Sequence, residues 1–526
     1  MKKAIILICL LFFADVIIIA QSFDVQLFPE KRNIQPTIVR YGNSYYFYEL
    51  DMEGLSGFSA NLKRFKQDIK LKKYNYHLEE IKQSRVPGPP KSFGPLDPFI
   101  KVIQNKLYLL YFKPADKDNI DLWAATIDTN TLITSGDKKI LTLEEDERII
   151  QYHLRSADPS HPNRVVSKGR FTSTGAIPEY RSFFLETSAD ASKVLIVWTS
   201  GWSKTLYYSV LDKDMNTIRT KKEEMPQTSL FVLSNASISN NGTVYISWYF
   251  DKKNKINAEI LVSTGSSFKV HPIDLINSEI AGIATQIDES KNKLLAAGPY
   301  KEGSDNLVGV FMQSFNLNGM KASPVNKTPF TKELITILDK EGLGNTKEKK
   351  YGVLDEIIFD ALLMNDGSLN LTGEFTKVAE GLKANFKLSG SIINARFDNT
   401  GKAVFTRIPK RRVSAGSTVG DSYRAYTYKD KVFIFYDDHL FNLKQDVNDP
   451  PKRSDEYINS VLAVGIIDSN GNLKREVVKD LSAEDYLGIT DNMQEIKPGA
   501  YFIPFQRFKK LGGYTGDIKW ALIEAK

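Results

Sequence analysis

The chain is 526 residues long with 42% hydrophobic and 25% charged residues, a composition that excludes wholesale disorder and a multi-span membrane protein. Lys and Arg number 70 against 63 Asp and Glu, and a net charge of +7 over this length is too dilute for a nucleic-acid footprint. The length allows several domains of ordinary size or one large repeat domain.

The first twenty residues differ from the rest. Lys2 and Lys3 precede an apolar run, Ala4–Ile19, broken only by Asp15, and Ala20 before Gln21 supplies a small residue for cleavage. This pattern is that of a signal peptide, so residues 1–20 are expected to be removed and residues 21–526 to form the mature domain, exported to the periplasm, the outer membrane or the medium. An uncleaved anchor is the alternative, although the run is short for a spanning helix, and no transmembrane segment is expected in the mature chain. The only cysteine, Cys9, lies in this leader behind Ile8, where a lipoprotein signal would carry a small residue. The mature chain therefore has no thiol for a disulfide, a metal site or a nucleophile.

Beyond the leader, short runs rich in Val, Ile, Phe, Tyr and Leu alternate with Asn, Asp and Gly turns, the pattern of antiparallel strands, and helical periodicity is almost absent. A first copy of a recurring unit fits Thr37–Tyr76. The second comprises Pro98–Gln104, Lys106–Phe112 and Leu122–Ile127, with a turn at Asp128. The third comprises Arg181–Thr187, Lys193–Thr199 and Thr205–Leu211, with a turn at Asp212. Ser229–Ser237, Thr243–Phe250 and Ala258–Val262 make the fourth, and Ile280–Ile287, Lys293–Ala297 and Leu307–Phe315 the fifth. The sixth is the best defined, with Glu356–Met364, Ser368–Glu374, Ser389–Phe397 and a short fourth strand joined by Asn365-Asp366-Gly367 and Asp398-Asn399-Thr400-Gly401, strong hairpin signals. The seventh runs from Asp421 to Val478. The last, Met493–Trp520, lacks a fourth strand, which Phe23–Phe28 could supply.

Four-stranded antiparallel repeats of this length predict an all-β fold, a β-propeller whose blades close radially and leave few sheet edges exposed. The count is eight, with seven as the alternative, and two β-sandwich domains are the rival architecture. In a propeller the connections from second to third strand and from one blade to the next share one face. All the long connections are of these kinds: His77–Asp97, Leu143–Tyr180, Asn326–Val353 and Pro409–Gly420 between blades, and Phe375–Leu388, Asp437–Asn459 and Arg507–Gly516 within them. Such one-sidedness marks a functional face.

Asp366-Gly367-Ser368-Leu369-Asn370-Leu371-Thr372-Gly373-Glu374, Arg396-Phe397-Asp398-Asn399-Thr400-Gly401, Ile408-Pro409-Lys410, and Phe433-Ile434-Phe435-Tyr436-Asp437-Asp438 followed by Asn442 carry a resemblance. Across Leu354–Val478 the chain resembles a family of exported bacterial repeat proteins with propeller-like folds. The resemblance implies a repeat architecture and an envelope location, and it carries no activity or catalytic residues.

The motif search excludes several chemistries. There is no G-x-S-x-G elbow and no Walker lysine loop, and the five histidines (77, 153, 161, 271 and 439) show no H-E-x-x-H or H-x-H pairing. No metal or cofactor is expected. Asp212-Lys213-Asp214-Met215-Asn216 with Glu223 imitates a calcium loop, but Thr217 stands where glycine should and the segment aligns with ordinary turns; Asp116–Asp121 is a similar cluster.

Two functional readings survive. As a binding or scaffold protein, the chain would use Trp202, the basic run Lys410, Arg411 and Arg412, and the acidic pair Asp437 and Asp438 on the loop-rich face, because aromatic and Arg residues dominate interface energetics. Its partner would be an envelope protein complex or a glycan. As a propeller hydrolase acting on carbohydrate or another polymer, the chain would use Glu374, Asp437 and Asp438, which end second strands, since glycoside hydrolysis needs paired carboxylates. The non-catalytic reading asks less of the sequence, which lacks the sialidase Asp-box. Trp198 and Trp248 are expected in the core.

Overall fold

A computed structural model describes residues 22–28, 37–52, 67–86, 99–114, 119–144, 164–167, 183–199, 205–225, 231–252, 255–265, 268–303, 306–345, 352–353, 356–380, 385–415, 423–452, 460–480, 482–509 and 513–526. Residues 1–21, which include the expected leader, lie outside them. Eight antiparallel sheets arranged in a ring form a β-propeller. In each blade the chain runs from the innermost strand outward, and the second strand is covered on both faces by neighbouring blades. Such strands consequently read as apolar runs, as in Val194–Trp198 and Val432–Tyr436, all buried.

The blades span Thr37–Val86, Phe99–Glu144, Phe183–Glu224, Phe231–Ile273, Glu279–Val353, Glu356–Ala415, Tyr423–Lys479 and Tyr486–Ala525. The turns opposite the long connections are tight and share one chemistry. Asp398 and Asp468 each accept backbone N–H groups two and four residues on, while Gly401 and Gly471 take φ of +84° and +83°, open to glycine without strain.

The eighth blade is completed by the start of the chain. Phe23–Leu27 pairs with the last strand in the register Phe23↔Ala525 to Leu27↔Ala521, and the Phe28 N–H donates to the Trp520 carbonyl at 2.8 Å. Its side chains rivet both neighbours. Phe23 meets Phe433 and Phe435 of the seventh blade edge-on, with centroids 5.6 and 5.5 Å apart, and Phe28 meets Phe47 and Tyr74 of the first at 5.5 and 6.0 Å. The expected strand and the count of eight both hold.

Other expectations need correction. The fourth strand of the first blade is Glu80–Val86, inside the span read as a connection, because its mostly exposed, polar sequence carries no alternation. Phe375–Leu388 and Arg507–Gly516 are mostly strand. They are the ends of two long hairpin arms, Leu369–Glu380 with Asn385–Phe397, and Ala500–Lys509 with Gly513–Ala525. The Asn326–Val353 connection contains the fifth blade's outer strand, Asn326–Pro329, and a helix, Lys332–Lys340. Thr331 caps that helix by accepting the Leu334 N–H at 3.2 Å, and Leu334, Ile335 and Leu338 are buried on one stripe.

The connection between the second and third blades contributes an unexpected element. Arg164–Ser167 pairs antiparallel with the innermost strand of the sixth blade, from Arg164↔Asp360 to Ser167↔Ile357, so the sheet gains an inner strand on the channel side.

Closure by the first strand has a measurable consequence. Phe28→Ala should lower unfolding stability by about 3–5 kcal/mol, as truncation of a buried Phe does. Deleting Phe23–Phe28 should also expose the edge of Gly513–Ala525 and produce aggregates on size exclusion. A monomeric deletion variant with an unchanged urea midpoint would show that the ring closes without this strand.

Candidate functional site

Four of the sequence-selected residues, Glu374, Lys410, Arg412 and Asp438, come together at the seam between the sixth and seventh blades, near its loop-bearing end. The second strand of the sixth blade alternates. Leu369, Leu371 and Phe375 belong to the apolar cluster shared with the fifth blade, so Asn370, Thr372, Glu374 and Thr376 face the seventh, all buried. Glu374 sits in mid-strand, beside a bulge, rather than at a strand end.

After the outer strand Ala403–Ile408 the chain turns inward at Pro409. This sends Lys410 into the seam, where its ammonium pairs with Glu374 Oε1 while both side chains have 0% exposure. Arg412 then opens a short strand, Arg412–Ala415, opposite Ser389, and is buried too. Arg411 between them is half-buried. The basic run expected as a binding element on the loop-rich face is thus largely internal, because the blade's long third strand captures the chain after Pro409 as an added strand.

Asp437 and Asp438 lie on the second strand of the seventh blade, Lys431–His439, and are buried rather than on a loop. Being adjacent, they point into different seams. Asp438 shares its face with Ile434 and Tyr436, which pack toward the sixth blade. Asp437 shares its face with Phe433 and Phe435 and lies against the eighth, where a Cβ on Gly488 would come within 3.2 Å of its Oδ1. Asp438 Oδ1 accepts the His439 N–H at 2.8 Å and the Asn442 amide at 2.9 Å. Glu374 Oε2, Asp438 Oδ2 and the Tyr436 hydroxyl find no hydrogen-bond partner among the described residues.

Burial dominates the electrostatics here. Desolvation pushes the Asp438 carboxyl up to about 7, against the Asn442 and His439 hydrogen bonds and the positive charges of Lys410 and Arg412. Desolvation also raises the Tyr436 hydroxyl, with the Asp438 charge adding to it. The seam therefore favours the protonated form of a carboxyl that solvent does not reach.

A second internal ion pair fastens the preceding helix. Glu341, just past the helix end, pairs with Arg407 and accepts the Ser391 hydroxyl at 3.0 and 2.9 Å. The same guanidinium donates to the carbonyls of Val447 and Asp449 in the seventh blade.

The remaining expectations resolve as follows. Trp202 lies outside the described residues. Trp198 and Trp248 have 0% exposure and belong to core clusters, as expected. Asp212 uses its carboxylate to close its own turn, accepting the Asp214 and Asn216 N–H groups at 2.8 Å, and Asp214 pairs with Lys106 of the second blade. Among the described residues no three His, Cys, Asp or Glu side chains are grouped to hold a metal. Asp116 lies outside them. No helix of the described residues is long and apolar enough to cross a membrane.

A cavity at the opposite end of the same seam escaped the sequence reading. Its residues come from three separate tight turns and the strands behind them, so no contiguous motif announces it.

The seam supports two predictions. Lys410→Met should destabilise by about 3–5 kcal/mol because it strands a buried carboxylate, whereas Glu374→Leu combined with Lys410→Met should recover most of the loss in urea denaturation. A second test concerns pH. Asp438 binds its proton more tightly folded than unfolded, so its contribution to stability is complete below the ordinary carboxyl range and is lost as pH rises through about 7. Asp438→Asn should remove this slope, at most about 1.4 kcal/mol per pH unit, and be more stable than the wild type at pH 8. An unchanged pH profile would show that Asp438 stays ionised throughout.

No family model matches the chain, and no curated protein matches it. Solved structures that do match include the β-propeller domain of the Trilobed protease from Pyrococcus furiosus, with 11% identity, a TM-score of 0.36, and coverage of 84% of this chain and 94% of that one. Polysaccharide lyase Uly1 matches at 10% identity and a TM-score of 0.36, over 83% of this chain and 91% of that one. A protein of unknown function from Dyadobacter fermentans matches at 10% identity and a TM-score of 0.30, over 70% and 96%.

Proposed function

We propose that the protein is an exported, non-catalytic binding scaffold whose loop-bearing face engages a protein partner in the cell envelope. The observation that carries this reading is the one-sided elaboration of the ring. Two hairpin arms, the helix Lys332–Lys340, the short helix Leu440–Lys444 and the inner strand Arg164–Ser167 all arise from connections on one face. The tight turns of the other face carry no comparable additions. Strands and helices projecting from a rigid ring offer the broad surface, about 800 Å² per partner, that protein–protein recognition requires.

The state of the carboxylates supports the absence of catalysis. A glycosidase needs two carboxyl groups that both reach the sugar. Glu374 is locked to Lys410, Asp438 faces the same closed seam and Asp437 faces another, with exposures of 0%, 1% and 0%. Export is the companion proposal, supported by Lys2, Lys3 and the apolar run Ala4–Ile19, and N-terminal sequencing of native protein should begin near Gln21.

The test trims one arm. Gln506 and Ile518 are cross-strand partners, so replacing residues 507–517 with Asn-Gly closes the hairpin in a tight turn. The trimmed protein should keep its melting temperature and bind the partner isolated with the wild type roughly tenfold more weakly. Equal binding by the two proteins would remove the arm from the interface, and polymer turnover abolished by Glu374→Gln would replace the scaffold reading with the hydrolase.

A further inference from the structure

The sixth and seventh blades part on the tight-turn face around a cavity of about 410 Å³. This volume falls within the range of about 300–1,000 Å³ typical of small-molecule pockets. The cavity lies where the Asp366 and Asp398 turns of the sixth blade meet the Asp468 turn of the seventh, and it reaches inward to Asn394.

Its charged groups are already engaged. Arg396 donates to Asp366 Oδ2 at 2.9 Å and to the Ser469 carbonyl, which pins the two blades together across the opening. Asp398 accepts the Thr400 hydroxyl at 2.6 Å together with the Thr400 and Lys402 N–H groups, and these bonds, the hydroxyl's first, hold its carboxyl below the usual range. An anion would need the Arg396 fork free, and a divalent cation would need several uncommitted carboxylates.

The uncommitted groups are neutral. Asn394 has 1% exposure and donates its amide N–H to Thr372 Oγ1 at 2.8 Å, yet its Oδ1 finds no partner among the described residues. The Ser368 hydroxyl is committed, since it serves the Asp366 carboxylate. Asn470 stands on the exposed turn at the mouth, and exposed Val404 adds an apolar patch beside it. A buried carbonyl oxygen without a donor costs about 1–3 kcal/mol, which a hydroxyl-rich ligand would offset by donating to it.

We infer that this cavity is a binding site for a neutral sugar residue, held by Asn394 and Asn470 and bounded by the Arg396–Asp366 bridge. The site lies on the face opposite the arms, so it stands or falls independently of the scaffold reading.

Saturation-transfer NMR with glucose, galactose, mannose and N-acetylglucosamine at millimolar concentration tests the site in the full chain. At least one sugar should bind, and its affinity should fall roughly five- to tenfold in Asn394→Leu and in Asn470→Ala, the worth of one hydrogen bond. Asn470→Ala changes an exposed turn and should melt as the wild type does, so it decides the matter if Asn394→Leu melts early. Trimming the 507–517 arm should leave sugar binding intact. The inference is overturned if none of the four sugars binds, if binding is undiminished in Asn470→Ala, or if inorganic phosphate or calcium displaces the sugar.

Discussion

A propeller blade has no solvent side. Its second strand must be covered on both faces by neighbours, so no blade is stable until the ring is complete, and here completion depends on a strand from the opposite end of the chain. Phe23–Leu27 supplies the last ladder, and its flanking aromatics enter the seams on either side of the eighth blade. Lys526 and Ser22 meet through a backbone hydrogen bond of 3.0 Å. For a chain whose only thiol is Cys9, this ladder does the work that a disulfide between the ends would do elsewhere.

The same two-sided burial explains the internal charges. Between the third and fourth blades an apolar cluster fills the seam, and neutral or singly charged donors suffice to tie it, the Tyr208 hydroxyl to Ser263 Oγ at 2.7 Å and Arg219 to the Gly242 carbonyl at 2.7 Å. The seam between the sixth and seventh blades instead faces Asn370, Thr372, Glu374 and Thr376 against Asp438 and Tyr436. Charges placed there have to be paired inside the protein, and Lys410 and Arg412 are delivered by the turn at Pro409. A buried pair of this kind adds little to net stability over apolar packing while penalising misregistered seams. The position of blade six relative to blade seven is thereby set by chemistry as well as shape.

Strand order, turn positions and ring closure were legible because hairpin signals are local: Asp366-Gly367 and Asp398-Asn399-Thr400-Gly401 fix the blade wherever it sits. Burial of the site residues was not. The alternation in Leu369–Thr376 reads as a strand with one wet face, and only the ring shows that its polar side is covered by another blade. Lys410 and Arg412 look like a solvated charge run for the same reason. The helix Lys332–Lys340 had a readable stripe at Leu334, Ile335 and Leu338 and a Thr331 cap, but nine residues of helical pattern are slight against a background of strands. The inner strand Arg164–Ser167 could not be read at all, since it is a fifth strand on a blade whose four-stranded repeat was already complete, whereas the eighth blade lacked one.

These additions fall mostly on one blade. The sixth receives the inner strand at Asp360, the helix end through Glu341 and Arg407, the Asn326 amide on the Thr400 carbonyl at 2.7 Å, and it reaches the seventh through Arg396 at one end and Arg407 at the other. Its third strand, Asn385–Phe397, carries Ser391, Asn394 and Arg396 in succession, so the loop-side ion pair, at the bulge in its ladder, and the turn-side cavity beyond it are fixed to one strand. A shift of that strand by one residue would exchange its two faces, taking Asn394 out of the cavity and Ser391 away from Glu341 together. The internal charges on the loop side and the cavity on the other therefore hold the same register, and this makes the sixth blade the part of the ring least free to vary.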